Sequence, residues 1–174
     1  PTAFVVMGYD SPNQSQQTQR FLIRNNLFER VERTGFMITW GSDDIEVDHN
    51  TFVPTNYLSF VMSGLKGHDA AGKVEGIPCQ RFKLTNNIFG FGRYGVGVDG
   101  GQNTFAEAFP GGIVAKNLLV GHGEGRAEHL LKNKTLADGF LVEPKHVGTT
   151  PEDDADWSAV GFANFASCDY RLTA

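Results

Sequence analysis

The sequence predicts an all-β chain folded as a right-handed parallel β-helix, a solenoid of about four to five rungs with an irregular C-terminal segment. Three observations carry that expectation. An apolar-x-apolar-x-x-Asn-x-Phe motif recurs along the chain, and a short alternating run closed by Gly precedes each copy. The composition agrees, with 21 Gly and 14 Phe in 174 residues, many turns and many bulky apolar wedges.

The first element of the repeat is read at Phe4–Gly8, Phe36–Gly41, Leu58–Gly64 and Gly95–Gly100. Each is an alternating run ended by a turn residue, the pattern of a strand. The second element is read at Phe21–Phe28, Ile45–Phe52 and Phe82–Phe89, with a weaker copy at Val114–Leu119. Its asparagines, Asn26, Asn50, Asn87 and Asn117, are spaced by 24, 37 and 30 residues, a period of 24 with insertions. The unit is therefore strand, turn, strand, Asn corner, short strand, turn. Elements that recur in this way pair in parallel with the copy above, and the rest of the unit supplies the crossover that parallel strands need. Such crossovers are right-handed.

Alternation then assigns the faces. In the first column Phe4/Phe36/Leu58/Val96 and Val6/Ile38/Phe60/Val98 should point inward. In the second, Phe21/Ile45/Phe82 and Ile23/Val47/Leu84/Val114 should do so, while Phe28, Phe52, Phe89 and Leu119 stack behind the corner. The four corner asparagines read as a structural ladder, each amide bonding the next copy. Asn also tolerates the positive φ that a corner requires. On the outside of the second column, Glu46 should meet Lys83 and Arg24 should meet Asp48, as inter-rung ion pairs.

The repeat region covers about residues 3–120 of a single domain spanning residues 1–174. Residues 121–159 break the pattern and read as an irregular insertion, and residues 160–174 read as a last-rung segment. Longer connections fall at Tyr9–Gln19, Leu65–Gln80 and Gly101–Gly111, one flank of the stack, where solenoids usually carry their binding loops. Nothing in the sequence covers the first rung, and a bare rung exposes a row of backbone groups. The expectation is that this chain is part of a longer stack with missing N-terminal rungs, or that its end meets another chain end to end.

The run Gly35-Phe-Met-Ile-Thr-Trp-Gly-Ser-Asp-Asp-Ile-Glu-Val-Asp-His-Asn-Thr-Phe52 resembles the repeat of the pectate-lyase-like superfamily, in which such Asn ladders occur. The closing Val160–Ala174 looks like the last-rung segment of secreted proteins of that kind. The resemblance implies an extracellular or cell-surface β-helix that binds or acts on polysaccharide, or a non-catalytic structural or adhesion solenoid. A catalytic member would be a polysaccharide lyase or glycoside hydrolase.

Those reactions need a Lys or Arg base, or paired carboxylates, on an outer face. On the first column only Asp99 is ionisable outside. The longest insertion adds Lys66, His68 and Asp69, so these four are the candidate catalytic residues. No organic cofactor is expected. Asp43-Asp44 and the acidic run Glu152–Asp156 offer carboxylates that would suit Ca²⁺, without the EF-hand spacing. His122, Arg126, Glu128 and His129 do not form HExxH. Gly90–Gly95 and Gly95–Gly100 match GxGxxG, but β-alternating residues follow instead of the helix that a dinucleotide site requires. The two cysteines, Cys79 and Cys168, make no disulfide framework or metal knuckle.

The formal charge of −5 without a basic block argues against nucleic acid as a partner. The apolar runs are far too short to cross a membrane as helices, so no membrane insertion is expected. Polysaccharide is the partner class left by the resemblance.

Overall fold

The computed structural model describes residues 4–7, 18–31, 34–39, 42–55, 58–63, 67–68, 74–75, 78–90, 96–98, 105, 109–120, 139–142 and 160–173. These residues form an all-β structure dominated by three parallel sheets. The first sheet contains β1 (Phe4–Met7), β4 (Thr34–Thr39), β7 (Leu58–Ser63) and β12 (Val96–Val98), in that spatial order. The second contains β2 (Gln19–Arg24), β5 (Asp43–Asp48), β10 (Lys83–Thr85) and β13 (Ile113–Ala115). The third contains β3 (Leu27–Val31), β6 (Thr51–Thr55), β11 (Ile88–Gly90), β14 (Asn117–Val120) and β15 (Phe140–Val142). All three sheets therefore order the copies of the repeat alike.

The register follows the repeat in the second and third sheets. Phe21 pairs with Ile45 and Ile23 with Val47, and Leu84 lies between Val47 and Val114. Phe28, Phe52, Phe89 and Leu119 also fall in one column. The rings of Phe28 and Phe52 stack at 4.5 Å, and those of Phe52 and Phe89 at 4.7 Å. Ile45, Val47, Phe52, Phe82, Leu84 and Phe89 are buried in one core with Phe36 and Ile38 of the first sheet.

The first sheet corrects the expected register by two residues. Phe60, not Leu58, stands opposite Phe36, and Met62 stands opposite Ile38. Leu58 pairs with Thr34 instead. A shift of two keeps the same face inward, so alternation alone cannot detect it. Between β7 and β10 a small antiparallel hairpin intervenes, β8 (Gly67–His68) against β9 (Val74–Glu75).

The asparagine ladder is present, but the positive-φ corner lies one residue earlier than expected. Asn25, His49, Asn86 and Lys116 take φ of 57, 53, 57 and 57°, while the ladder asparagines do not. Their backbone amides continue the parallel pairing, for instance His49 N–H to the Thr85 carbonyl at 3.2 Å. The left-handed residue turns the chain so that the next side chain points into the stack.

Two further differences concern the later copies. Gly112 occupies the position equivalent to Phe82, and the core there is filled by Phe105 and Phe109. Phe109 lies 4.8 Å from Phe82 and 5.1 Å from Phe105. A Cβ on Gly112 would approach both rings' side chains to 3.0 Å, so this glycine is what admits them. Second, the segment expected to be irregular contributes β15, which extends the third sheet beyond β14. It is preceded by Gly139, where a Cβ would stand 2.4 Å from the Val114 carbonyl oxygen.

The closing segment is not a further parallel layer. β16 (Phe162–Asn164) and β17 (Asp169–Leu172) pair antiparallel around a short 3-10 turn at Phe165–Ser167. Phe162 is buried with Val53 of β6 and Val120 of β14, and Val160, Tyr170, Ile88 and Leu118 close this second apolar cluster. The hairpin thereby covers the outer side of the third sheet.

Candidate functional site on the second sheet

Alternation along β2, β5, β10 and β13 turns Leu22, Glu46, Lys83 and Ile113 outward in one row. Arg24, Asp48, Thr85 and Ala115 form the next. Parallel pairing without slippage brings like positions of adjacent copies together, so sequence charge becomes contact. Both expected ion pairs form: Arg24 Nε lies 3.0 Å from Asp48 Oδ2, and Lys83 Nζ lies 3.3 Å from Glu46 Oε2. A third joins Arg81 to Asp43. Exposed pairs such as Lys83–Glu46 are worth about 0–1 kcal/mol each.

Asp48 is different because its side chain is only 8% exposed. Its Oδ1 accepts from Thr85 Oγ1 and Asn86 Nδ2, both at 2.8 Å. Its Oδ2 accepts from His49 Nδ1 at 2.7 Å as well as from Arg24. Burial alone would raise the Asp48 pKa, but the hydrogen bonds from Asn86, His49 and Thr85 outweigh it and hold the carboxyl at about 2. An ionised carboxylate is acceptor-only, so in this contact His49 Nδ1 is the donor. The sequence reading put Arg24, Asp48 and Thr85 in one outward row but missed His49 and Asn86. His49 and Asn86 are the residues that take positive φ, and only that backbone turn brings them to Asp48.

Of the candidate catalytic residues, Lys66, Asp69 and Asp99 lie outside the described residues. His68 is placed by its backbone in β8, registered with Val74 of β9. Val98, beside Asp99 in sequence, pairs with Met62 near the end of β7 that leads into this hairpin. Of the carboxylates considered for Ca²⁺, Asp43 is engaged by Arg81 and its buried Oδ1 has no hydrogen-bond partner. Asp44 is exposed, and Glu152–Asp156 lie outside the described residues. Among the described residues, no group of three or more His, Cys, Asp or Glu side chains is placed to hold a metal ion. Cys79 is buried and Cys168 exposed, both as free thiols.

The ladder itself is continuous and directional. Asn26 Nδ2 donates to Asn50 Oδ1 at 3.0 Å, Asn50 Nδ2 to Asn87 Oδ1 at 3.0 Å, and Asn87 Nδ2 to Asn117 Oδ1 at 2.9 Å. The backbone N–H of each donor residue bonds the same oxygen, at 3.0, 2.9 and 3.0 Å. Asn117 Nδ2 completes the series on the carbonyls of Leu84 and Gly139. These four residues bond one another across the copies, and the second sheet carries exposed polar side chains on its outer face. No helix among the described residues is long and apolar enough to cross a membrane. Comparison with protein-family models, curated proteins and solved structures finds no match.

Proposed function

We propose that this chain is a right-handed parallel β-helix of the pectate-lyase-like kind, extracellular, and that it binds polysaccharide along the second sheet without transforming it there. The common order of copies in the three parallel sheets supports the solenoid reading. The observation that carries the non-catalytic part is the state of the β5 carboxylates. Asp43, Glu46 and Asp48 are each engaged by a cation of a neighbouring copy. Asp44 alone remains, and glycoside hydrolysis needs two carboxyl groups in concert. Arg24, Arg81 and Lys83 on this face are held in the same pairs, whereas a lyase needs a base free to take a proton.

What the face offers instead is a row of hydrogen-bonding groups, with His49 half-exposed, flanked by exposed Leu22 and Ile113. The test is a panel of acidic and neutral polysaccharides, with and without Ca²⁺, read by retention of the protein and by product chain length in mass spectrometry. Retention with unchanged glycans is expected. Shortened products would overturn the non-catalytic reading and direct attention to Lys66, His68, Asp69 and Asp99. Retention by none of the panel would overturn glycan binding and leave the structural or adhesion solenoid.

A further inference from the structure

The corner between the second and third sheets repeats one backbone shape while its side-chain chemistry changes. Asn25, His49, Asn86 and Lys116 each precede a ladder asparagine and take φ of 57, 53, 57 and 57°. Backbone bonds run from Asn25 N–H to the Asp48 carbonyl, from His49 N–H to the Thr85 carbonyl and from Asn86 N–H to the Ala115 carbonyl. The four residues therefore stand in register, one copy apart. Two positions carry amides and one carries a fixed cation. His49 carries the side chain type whose charge ordinarily changes between about pH 5 and 8.

The surroundings decide what a proton on His49 does. Among the described residues, the charged groups on its sides are Asp48 on β5, Arg24 from β2, the Glu46–Lys83 pair on the same face and Lys116 beyond Asn86. From β10 come uncharged Thr85 and Asn86. Asp48 Oδ2 is shared by His49 Nδ1 at 2.7 Å and Arg24 Nε at 3.0 Å. The Asp48 carboxyl, held at about 2, stays ionised across the histidine range, and Arg24 already balances its charge. Glu46 and Lys83 balance each other in the same way. A proton on His49 is therefore net charge added to the face, set between Arg24 and Lys116. It also adds a donor. A neutral imidazole has one N–H, which the Asp48 contact takes, whereas the protonated ring has a second for a ligand on its half-exposed side.

We propose that His49 is a proton-controlled contact for an anionic group of the bound polysaccharide, a sulfate or a carboxylate, so that the second-sheet face holds acidic glycan more tightly as pH falls through the histidine range. This rests on the glycan-binding reading of the same face and adds its charge class and its regulation.

The test is isothermal titration calorimetry of the full chain at about pH 5.5 and about pH 8, which bracket the histidine range. The probes are dextran sulfate, whose charge is constant there, alginate as the carboxylate arm, and unmodified dextran as the neutral counterpart. Binding of at least one acidic glycan should be about threefold or more tighter at the lower pH. Which of the two shows it separates sulfate from carboxylate recognition. His49→Asn should bind weakly at both pH values, and His49→Lys tightly at both. Asn25, Asn86 and Lys116 already serve the same positive φ, and circular dichroism checks that the variants fold. Binding should also draw protons into the unaltered protein at about pH 7, read from the heats in buffers of different ionisation enthalpy. That readout needs no variant, and its absence overturns the inference. So does an undiminished pH effect in His49→Asn, or an equal pH effect with dextran. Binding of dextran alone overturns the inference while leaving glycan binding in place; binding of none of the three at either pH overturns both.

Discussion

Replacing Asn87 by Ala tests the ladder where it is most enclosed. The side chain removed is 1% exposed and serves both neighbours. Its Oδ1 is the acceptor for the Asn50 backbone N–H at 2.9 Å and for Asn50 Nδ2 at 3.0 Å. Its Nδ2 donates to the carbonyls of Val47 and Thr85, both at 2.9 Å, and to Asn117 Oδ1. After substitution the Asn50 N–H loses its ladder partner in a buried site, a cost of about 1–3 kcal/mol. Asn50 Nδ2 keeps the carbonyls of Ile23 and Asp48, and Asn117 Oδ1 keeps the residue 87 backbone N–H. The carbonyls of Val47 and Thr85 lose one donor each, adding about 1 kcal/mol apiece. The sum is about 3–5 kcal/mol, which lowers the urea midpoint by roughly 1–3 M.

The same substitution at Asn26 provides the contrast. Asn26 donates to Asn50 Oδ1 and to the Arg24 carbonyl but accepts nothing from the described residues, and it is exposed. Asn50 Oδ1 still holds the residue 26 backbone N–H at 3.0 Å. Asn26→Ala should therefore cost below about 1 kcal/mol. Urea unfolding of both variants, followed by circular dichroism, compares them directly. Equal midpoints, or a loss of less than about 0.3 M for Asn87→Ala, would refute the directional ladder as the element that holds the copies together.

Three other outcomes are expected. Phe52→Ala removes the ring between Phe28 and Phe89 and should cost about 3–5 kcal/mol, against a smaller loss for half-buried Phe28→Ala; equal losses in thermal unfolding would count against the stack. The folded Asp48 pKa is depressed from 3.8 to about 2, so its stabilisation is present above about pH 4 and is lost as pH falls toward 2. Allowing for solvent screening around exposed Arg24 and His49, this amounts to about 1–2 kcal/mol, and Asp48→Asn should flatten the stability–pH curve in that window. Burial and the neighbouring Glu29 carboxylate push the Tyr170 phenol well above its usual range. Ultraviolet titration should then show one of the four tyrosines ionising late, and Glu29→Gln should bring it part of the way back; four simultaneous ionisations would exclude the 2.9 Å contact.

What could be read from the chain was whatever recurs. A residue pattern that returns at one period places like beside like when copies pair in parallel. For that reason the asparagine ladder, the Phe28/Phe52/Phe89 column and the Arg24–Asp48 and Glu46–Lys83 pairs were all legible before any coordinates. Each is a contact between equivalent positions, and equivalence is a property of sequence.

Features without a repeat were decided by tertiary structure. The register of β7 differs by two residues from the expected one, since both Leu58 and Phe60 satisfy the alternation and the pattern cannot distinguish them. The connection at Gly101–Gly111 resembled a binding loop, yet Phe105 and Phe109 fill the volume that Gly112 leaves beneath it. The closing segment had strand character, but its partner was the outer face of the third sheet, through Phe162 and Tyr170. The surroundings of Asp48 likewise depend on His49 and Asn86 turning through positive φ, a conformation that neither residue type enforces. Periodicity alone determines which copies touch; close packing and backbone geometry determine how the remaining volume is filled, and those depend on shape in three dimensions.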